Sequence, residues 1–356
     1  MPLRALLDGA DLNAWNQETE TWATLKQTYR QRQLRTVCCD QPAVPKTSSL
    51  GTFFFAHRQR GDCTSASETP EHLLAKSVIA QAAQDAGWHV VTECRGVTPE
   101  GEVWIADVLV QKGDHRIAFE VQWSPQTLAD TVARQARYKQ SGVRGLWLKR
   151  RRARERVPFE DETYDQDATP IFGLQHDESH FSVQPFDVPL RDFVQGALSR
   201  QLLYWPRGVQ SARLGVTTTA LTCWRCKRET NVIIDVHLAH PRHPEIYLLR
   251  NWDEGGMWSG ESPVKQLLAD VFTAERRRML HLGAIKPRAS KTVRQTYLSQ
   301  GCAHCDALQG DFFIMEAQHE AYADGSARPP QQWWPVRFDF STVGGAEWHF
   351  MSRPAT

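Results

Sequence analysis

No apolar run in this chain is long enough to cross a bilayer, which excludes a helical membrane protein at the outset. The opening stretch MPLRALLDGADLNAW lacks a long hydrophobic region and a small-residue cleavage site, so the expected location is cytoplasmic, with no membrane partner. An excess of one charge sign is missing too. The formal net charge is +1, so any contact with nucleic acid must come from local patches. Internal repeats and low-complexity tails are absent. What is present is apolar: 41% of the 356 residues, with 13 Trp and 15 Phe. That fits a folded chain of two or three domains, each with its own core.

Cysteine is sparse but patterned. Four of the eight form two C-x-x-C pairs, CWRC (Cys223, Cys226) and CAHC (Cys302, Cys305). Without an export signal such pairs favour Zn²⁺ over disulfides, and four thiolates make a closed tetrahedral site, structural rather than catalytic. The long separation makes NVIIDVHL and the helix from Ser262 an insertion between the two halves of a ribbon, with each pair on a turn beside strands. Cys94 reads as an ordinary buried thiol.

The first sixty-odd residues read as irregular, running from a Cys-Cys step through QPAVPKTSSLG to TFFFAHR. From Thr69 the pattern turns helical, with Thr69 as N-cap, Pro70 at the first position, Leu and Ile at helical spacing and Gly87 as the stop. Three strand candidates follow, HVVTECR, VWIADVLVQ and RIAFEVQWS, the last two joined by the hairpin signal KGDH. A second helix is expected from Ser124-Pro125 to Gly142, then GLWLKR as a strand. Helix, three strands, helix, strand predicts an α/β unit with a mixed sheet, its last strand parallel to a neighbour because a helix supplies the crossover. Basic KRRRARER and acidic EDETYDQD then mark a domain exit. Further on come an amphipathic helix near LRDFVQGALSRQLL and a Ser-Pro-started helix over SPVKQLLADVFTAERRRMLHLG. The expected domains are 1–68, 69–157, a connecting region 158–222, and 223–356.

Carboxylates inside apolar strands need a reason, because an ionised group is costly to remove from water without compensation. Glu120 and Gln122 share one face of their strand, and Asp107 sits on the strand across the hairpin. If the hairpin pairs regularly, Asp107 and Glu120 converge near one end of the sheet. There, with a backbone carbonyl (that of Val121) and waters, they suit Mg²⁺ or Mn²⁺. Such an ion neutralises charge on a phosphoryl group and lowers the pKa of bound water, the two needs of phosphodiester hydrolysis. Glu93 is a third candidate. His72 and Lys76 lie four apart on the first helix, and Arg134 and Tyr138 repeat that spacing on the second. Singly, each has a plain alternative: solvated strand ends, a surface Lys, an Arg and Tyr covering a sheet.

Taken in order, HLLAK, TECR, IADVLV, AFEVQWS and RQARY before GLWLKR resemble the competence protein CoiA family of the PD-(D/E)XK nuclease superfamily, best from about Cys38 to Arg150. The resemblance implies a restriction-endonuclease-like α/β core, a mixed sheet flanked by helices. An N-terminal Cys/His segment and a C-terminal α+β zinc-ribbon-like module stand beside it. It makes Asp107 and Glu120 metal ligands, Glu93 a supporting acid, and His72, Arg134 and Tyr138 supporting residues. Gln122 stands where most superfamily members carry a catalytic Lys. An amide orients water but supplies no positive charge, so Lys76 is the candidate replacement. Cys38, Cys39, His57 and Cys63 resemble a worn version of the family's Cys/His segment, a candidate second Zn²⁺ set, although adjacent cysteines fit one zinc poorly.

For a polyanion the candidate contacts are Lys149, Arg150, Arg151 and Arg152, and Lys286, Arg288, Lys291 and Arg294. The Trp-rich tail offers rings for stacking bases or for padding the ribbon. Two functions are expected from this pattern. One is a metal-dependent nuclease acting on single- or double-stranded DNA, in uptake and recombination or in defence. The other is a nuclease-like module that grips DNA or recruits a protein partner, with little or no cleavage. A homo-oligomer fits either.

Overall fold

The computed structural model describes residues 2–59, 61, 63, 67–152, 163–177, 180–205, 208–242, 263–340 and 347–351. They fall into two compact units, Met1–Leu203 with Trp348–Thr356, and Tyr204–Glu347.

The first unit opens with β1 (Arg4–Leu7), β2 (Ala10–Asn13), α1 (Thr19–Thr28), β3 (Leu34–Thr36), β4 (Ala43–Thr47) and β5 (Phe53–His57). This segment, expected to be irregular, has its own core. Trp22 of α1 stacks on Phe53 at 4.9 Å and meets Phe55 edge-on at 5.2 Å. Strands of three to five residues are too short to show alternation in sequence, which is why they escaped notice.

The expected α/β order then appears: α2 (Pro70–Asp85), β6 (His89–Val97), β7 (Val103–Lys112), β8 (His115–Gln122), α3 (Leu128–Gln140) and β9 (Arg144–Arg150). Thr69 caps α2 by accepting from the His72 amide at 3.3 Å. α3 starts later than the Ser-Pro signal, because Thr127, which accepts from the Asp130 amide, is its cap. β8 pairs antiparallel with β7 and parallel with β9. α2 packs on one face of the sheet, with Leu73, Ile79 and Ala83 against Val108, Val110, Phe119 and Val121. α3 covers the other, where Tyr138 joins Ala106, Ala118 and Trp147.

The sheet does not stop at the expected boundary near residue 157. β10 (Ile171–His176), β11 (Phe181–Gln184) and β12 (Val188–Pro189) extend it to seven strands in the order β12-β11-β10-β9-β8-β7-β6. The outer backbone of β9 needs a partner, and parallel β10 supplies it. α4 (Leu190–Leu198) follows and buries Phe193 against Phe172, and β13 (Leu202–Trp205) leads out. The expected basic and acidic runs over 153–162 lie outside the described residues.

In the second unit β14 (Val209–Thr222) and β15 (Glu229–Ala239) form a long antiparallel pair. The helix expected from Ser262 is two: α5 (Pro263–Val271) and α6 (Ala274–Met279), broken where Thr273 caps α6; Ser262 itself lies outside the described residues. β16 (Ile285–Ser290), β17 (Gln295–Gly301) and β18 (Leu308–Gln309) form a small sheet. α7 (Asp311–Asp324) then packs Ile314 and Ala321 on Val232 and Ile234 of β15, and β19 (Trp334–Asp339) flanks β14. The two C-x-x-C turns lie between β14 and β15 and between β17 and β18. Among the described residues no helix is long and apolar enough to cross a membrane.

Candidate active site and metal-binding clusters

Regular pairing of β7 with β8 ends at Val108 opposite Phe119. Beyond it the Val121 amide donates not to a backbone carbonyl but to the Asp107 carboxylate, at 2.9 Å, so Asp107 replaces the next rung. On β7's other side the ladder with β6 skips the step between Thr92 and Cys94, where Glu93 has a φ of 48°. Ala106 and Leu109, an odd number of residues apart, both lie against α3, so the alternation slips between them.

That slip turns Asp107 towards α2. His72 Nε2 lies 3.4 Å from its Oδ2, and Lys76 Nζ lies 3.8 Å from its Oδ1. Lys76 is 0% exposed and is also paired with Glu93 at 2.6 Å and Glu68 at 3.0 Å. Burial works against the Asp107 carboxylate, but the charges of His72 and Lys76 win and hold its pKa well below the usual range. Burial also opposes the His72 imidazolium, and the Asp107 charge beside it outweighs that, raising its pKa. Lys76 follows the same balance: burial lowers its pKa, and Glu68, Glu93 and Asp107 together raise it further.

Glu120 faces the opposite layer. Its Oε2 pairs with Arg134 at 2.5 Å, its Oε1 accepts from the Tyr138 hydroxyl, and the side chain is 1% exposed. Burial, reinforced by the Asp107 charge, pushes its pKa up to about 7 against the pull of Arg134 and Tyr138. The same burial, with Glu120 beside it, raises the Tyr138 pKa. The Arg134 guanidinium lies 4.8 Å from the Trp147 ring.

Asp107 and Glu120 were expected to converge near one end of the sheet. They lie close enough there for the Asp107 amide to bond to the Glu120 carboxylate and for the Asp107 charge to raise its pKa, but the two carboxylates pair with helices on opposite faces. The physical cause is the broken ladder at Asp107, which ordinary period-two reasoning does not foresee. Gln122 turns its amide onto the Ser124 carbonyl at 2.7 Å. Sequence reasoning missed Glu68. Its position directly before the Thr69 cap was the available signal, because a residue there sits beside the first turn of the helix that carries His72 and Lys76. It also missed the Leu3 amide, which donates to Glu93 Oε1 at 3.0 Å.

Ligand atoms of Glu68, His72 and Asp107 all lie within 4.8 Å of one another. Beside them Glu93 Oε2 is buried with no hydrogen-bond partner. An ionised, partly exposed Asp107, a neighbouring carboxylate and an orphaned carboxylate oxygen make a donor set that fits a divalent cation.

Two further groups are able to hold a metal such as zinc. Cys223, Cys226, Cys302 and Cys305 have ligand atoms mutually within 4.8 Å, and so do Cys38, Cys39, His57 and Cys63. Burial opposes the Cys223 thiolate, yet the Cys226 and Arg225 amides bring its pKa down to about 6. The adjacent Cys38 and Cys39 both face His57 Nε2 at 3.2 Å, so neighbouring cysteines do reach a common point.

The expected basic contacts separate. Lys149 is buried and donates to the Gln126 carbonyl at 2.8 Å, and Arg150 lies 5.3 Å from the Trp123 ring. The Arg151 amide donates to the Leu174 carbonyl, and the Arg151 side chain packs by Gly173. Arg152 is exposed at the end of that run. Lys286 pairs with Asp306 at 2.6 Å, and Arg288 binds Asp306 and the Ser299 and Ala284 carbonyls, so both brace the second Cys turn. Lys291 and Arg294 are exposed on the turn between β16 and β17.

No curated protein matches the chain. Residues 68–167 match the family described as competence protein CoiA, nuclease-like domain. The resemblance to the CoiA family is thereby borne out over 68–167, the segment that carries Glu68, His72, Lys76, Asp107 and Glu120.

Proposed function

We propose that residues 68–167 form the core of a metal-dependent nuclease of the PD-(D/E)XK type acting on DNA phosphodiester bonds, centred on Asp107. The observation that carries this reading is the ionised Asp107 carboxylate within ligand reach of Glu68 and His72, backed by the fully buried Lys76. A bound Mg²⁺ or Mn²⁺ supplies charge neutralisation at the phosphate and an acidified water. Asp107 would hold it, with Glu68 and His72 completing the donor group nearest to that carboxylate. The imidazole in that group favours Mn²⁺ over Mg²⁺, and His72 must be neutral to ligate. Lys76 supplies the fixed positive charge that Gln122 lacks, and Glu93 and Glu68 hold it in place. Glu120 and Val121 were expected as ligands of the same ion. On this reading Glu120, held by Arg134 and Tyr138, would stand outside that donor group.

The chain's remaining clusters are assigned Zn²⁺ in structural roles. A tetrahedral site with Zn–S of about 2.3 Å sets its sulphurs about 3.8 Å apart. Cys223 to Cys305 and Cys226 to Cys302 are each 3.7 Å, as are Cys38 to Cys39 and Cys38 to Cys63. Two C-x-x-C turns, one between β14 and β15 and one between β17 and β18, with their four sulphurs brought together, support a zinc-ribbon-like reading of the C-terminal module.

A second reading draws on one observation: Glu120 is enclosed and its two oxygens are engaged. On that reading the domain grips DNA without cutting it. Incubating the full chain with single- and double-stranded DNA and Mg²⁺ or Mn²⁺, beside Asp107→Ala, His72→Ala and Glu120→Ala, separates the two. Nuclease action predicts metal-dependent cleavage that Asp107→Ala lowers by about 100-fold or more. Absence of cleavage with either metal, or an Asp107→Ala variant as active as wild type, sinks it. Full activity in Glu120→Ala with loss in His72→Ala assigns the ion to the Glu68–His72–Asp107 group.

A further inference from the structure

The first Cys turn carries a ring that the fold leaves in water. Trp224 is 63% exposed, yet it is not loose: its indole N–H donates to the Leu308 carbonyl at 2.8 Å. Leu308 lies just before Gly310, the N-cap of α7, and the Phe313 ring rests against Gly310, 3.3 Å from where a Cβ would stand. Phe312 and Phe313 are 60% and 62% exposed, with centroids 5.7 Å apart in an edge-on pair. Three large exposed aromatics are thus tied to one short segment, 308–313. Singly scattered exposed rings need no explanation, whereas exposed rings gathered on one segment mark an interaction surface.

Charge tells what covers them. Arg225, Lys227 and Arg228 follow Trp224 in the same turn, all exposed, with Glu229 the one acid among them. Of the nearby acids, Asp306 is already neutralised by Lys286 and Arg288 and Asp311 by Lys265, while Glu316, one turn along α7 from Phe312, is exposed. Exposed aromatics, one of them anchored, beside cations that have no ion-pair partner among the described residues match a single nucleic-acid strand, whose bases stack on any ring face while its phosphates take the cations. A duplex hides its base faces and does not fit such a surface.

We propose that Trp224, Phe312 and Phe313, with Arg225, Lys227 and Arg228, form a stacking platform for single-stranded DNA. The choice of DNA rests on the nuclease reading above; the platform itself does not.

The test is fluorescence anisotropy of a labelled 20-nucleotide oligo(dT) with the full chain, without added Mg²⁺ or Mn²⁺, over a salt series. Trp224→Ala and the double variant Phe312→Ser/Phe313→Ser are expected to weaken binding about tenfold or more each. Arg225→Gln/Lys227→Gln removes only exposed charge, leaves the fold intact, and is expected to lower the salt slope by about 1.4. Retained zinc content in each variant shows that the Cys turn is intact. Affinity within twofold of wild type in the aromatic variants, together with an unchanged salt slope, overturns the platform and leaves the rings to a protein partner. The two proposals fail separately. Cleavage lost in Asp107→Ala with no effect of the platform variants sinks only the platform, and platform-dependent binding by a chain that never cleaves sinks only the nuclease.

Discussion

Replacing Lys76 by Met tests the electrostatic core of the site. The ammonium is fully buried and lies 2.6, 3.0 and 3.8 Å from Glu93, Glu68 and Asp107. Met keeps most of the packing volume and removes the charge, leaving three carboxylates in one another's field with the His72 imidazole still beside Asp107. Breaking a buried pair by removing one partner costs about 3–5 kcal/mol, and three bereft carboxylates put the expected loss at the upper end. The pH dependence gives the sharper signature. In wild type the Asp107 pKa is depressed, so its contribution to stability is present above the unfolded carboxylate pKa and is lost only as pH falls through the lower folded value. In the variant the same carboxylates cost stability when ionised, and that cost is relieved as they take up protons. The deficit of Lys76→Met against wild type should therefore shrink between pH 8 and pH 5. Amide hydrogen exchange read by mass spectrometry on peptides spanning 70–122, across a urea series, measures this unit within the intact chain. Lys139→Met on the exposed side of α3 serves as control, expected to shift stability by less than about 0.5 kcal/mol. A Lys76→Met deficit below about 1 kcal/mol, or one that does not change with pH, refutes the account.

Removing the Tyr138 hydroxyl with Tyr138→Phe takes a donor from Glu120 and should cost about 1–3 kcal/mol. Because the folded Glu120 pKa already stands at about 7, its ionised form costs stability at high pH, and that cost is relieved as pH falls from about 7 towards the ordinary carboxylate value. The variant should titrate still higher, as followed by the NMR shift of the Glu120 carboxyl; an unchanged or lower midpoint contradicts the assignment. For the cysteine clusters, metal analysis of protein made with added zinc should find two zinc ions per chain. Cys302→Ser and Cys38→Ser should each lose a different one. Wild type without zinc, or variants that keep both, would refute the structural-zinc assignment.

Much of this protein was legible in the order of its residues. Thr69 and Pro70 started a helix, KGDH turned a hairpin, and a helix between RIAFEVQWS and GLWLKR allowed β9 to lie parallel to β8. Each rests on local chemistry: a hydroxyl reaching an orphan amide, a glycine at positive φ, a crossover too long for a turn. Each C-x-x-C pair was legible for a similar reason, since it is a local turn, and the chemistry of a four-thiolate site implied that the two distant turns meet. The N-terminal strands were not, because three to five residues are too few to show alternation, and neither was the extension of the sheet past β9, which is fixed by an edge taking a partner further along the chain. The same distinction runs through the site. Sequence placed His72 and Lys76 on one helix face, and Arg134 and Tyr138 on another, because helical spacing is a local fact. Only the tertiary structure decided which acid each pair would meet. The ladder breaks where the Asp107 side chain takes the Val121 amide, and that single exchange sends Asp107 to one layer and leaves Glu120 in the other. A strand's alternation is a property of the chain, but where it slips is set by the neighbouring strand.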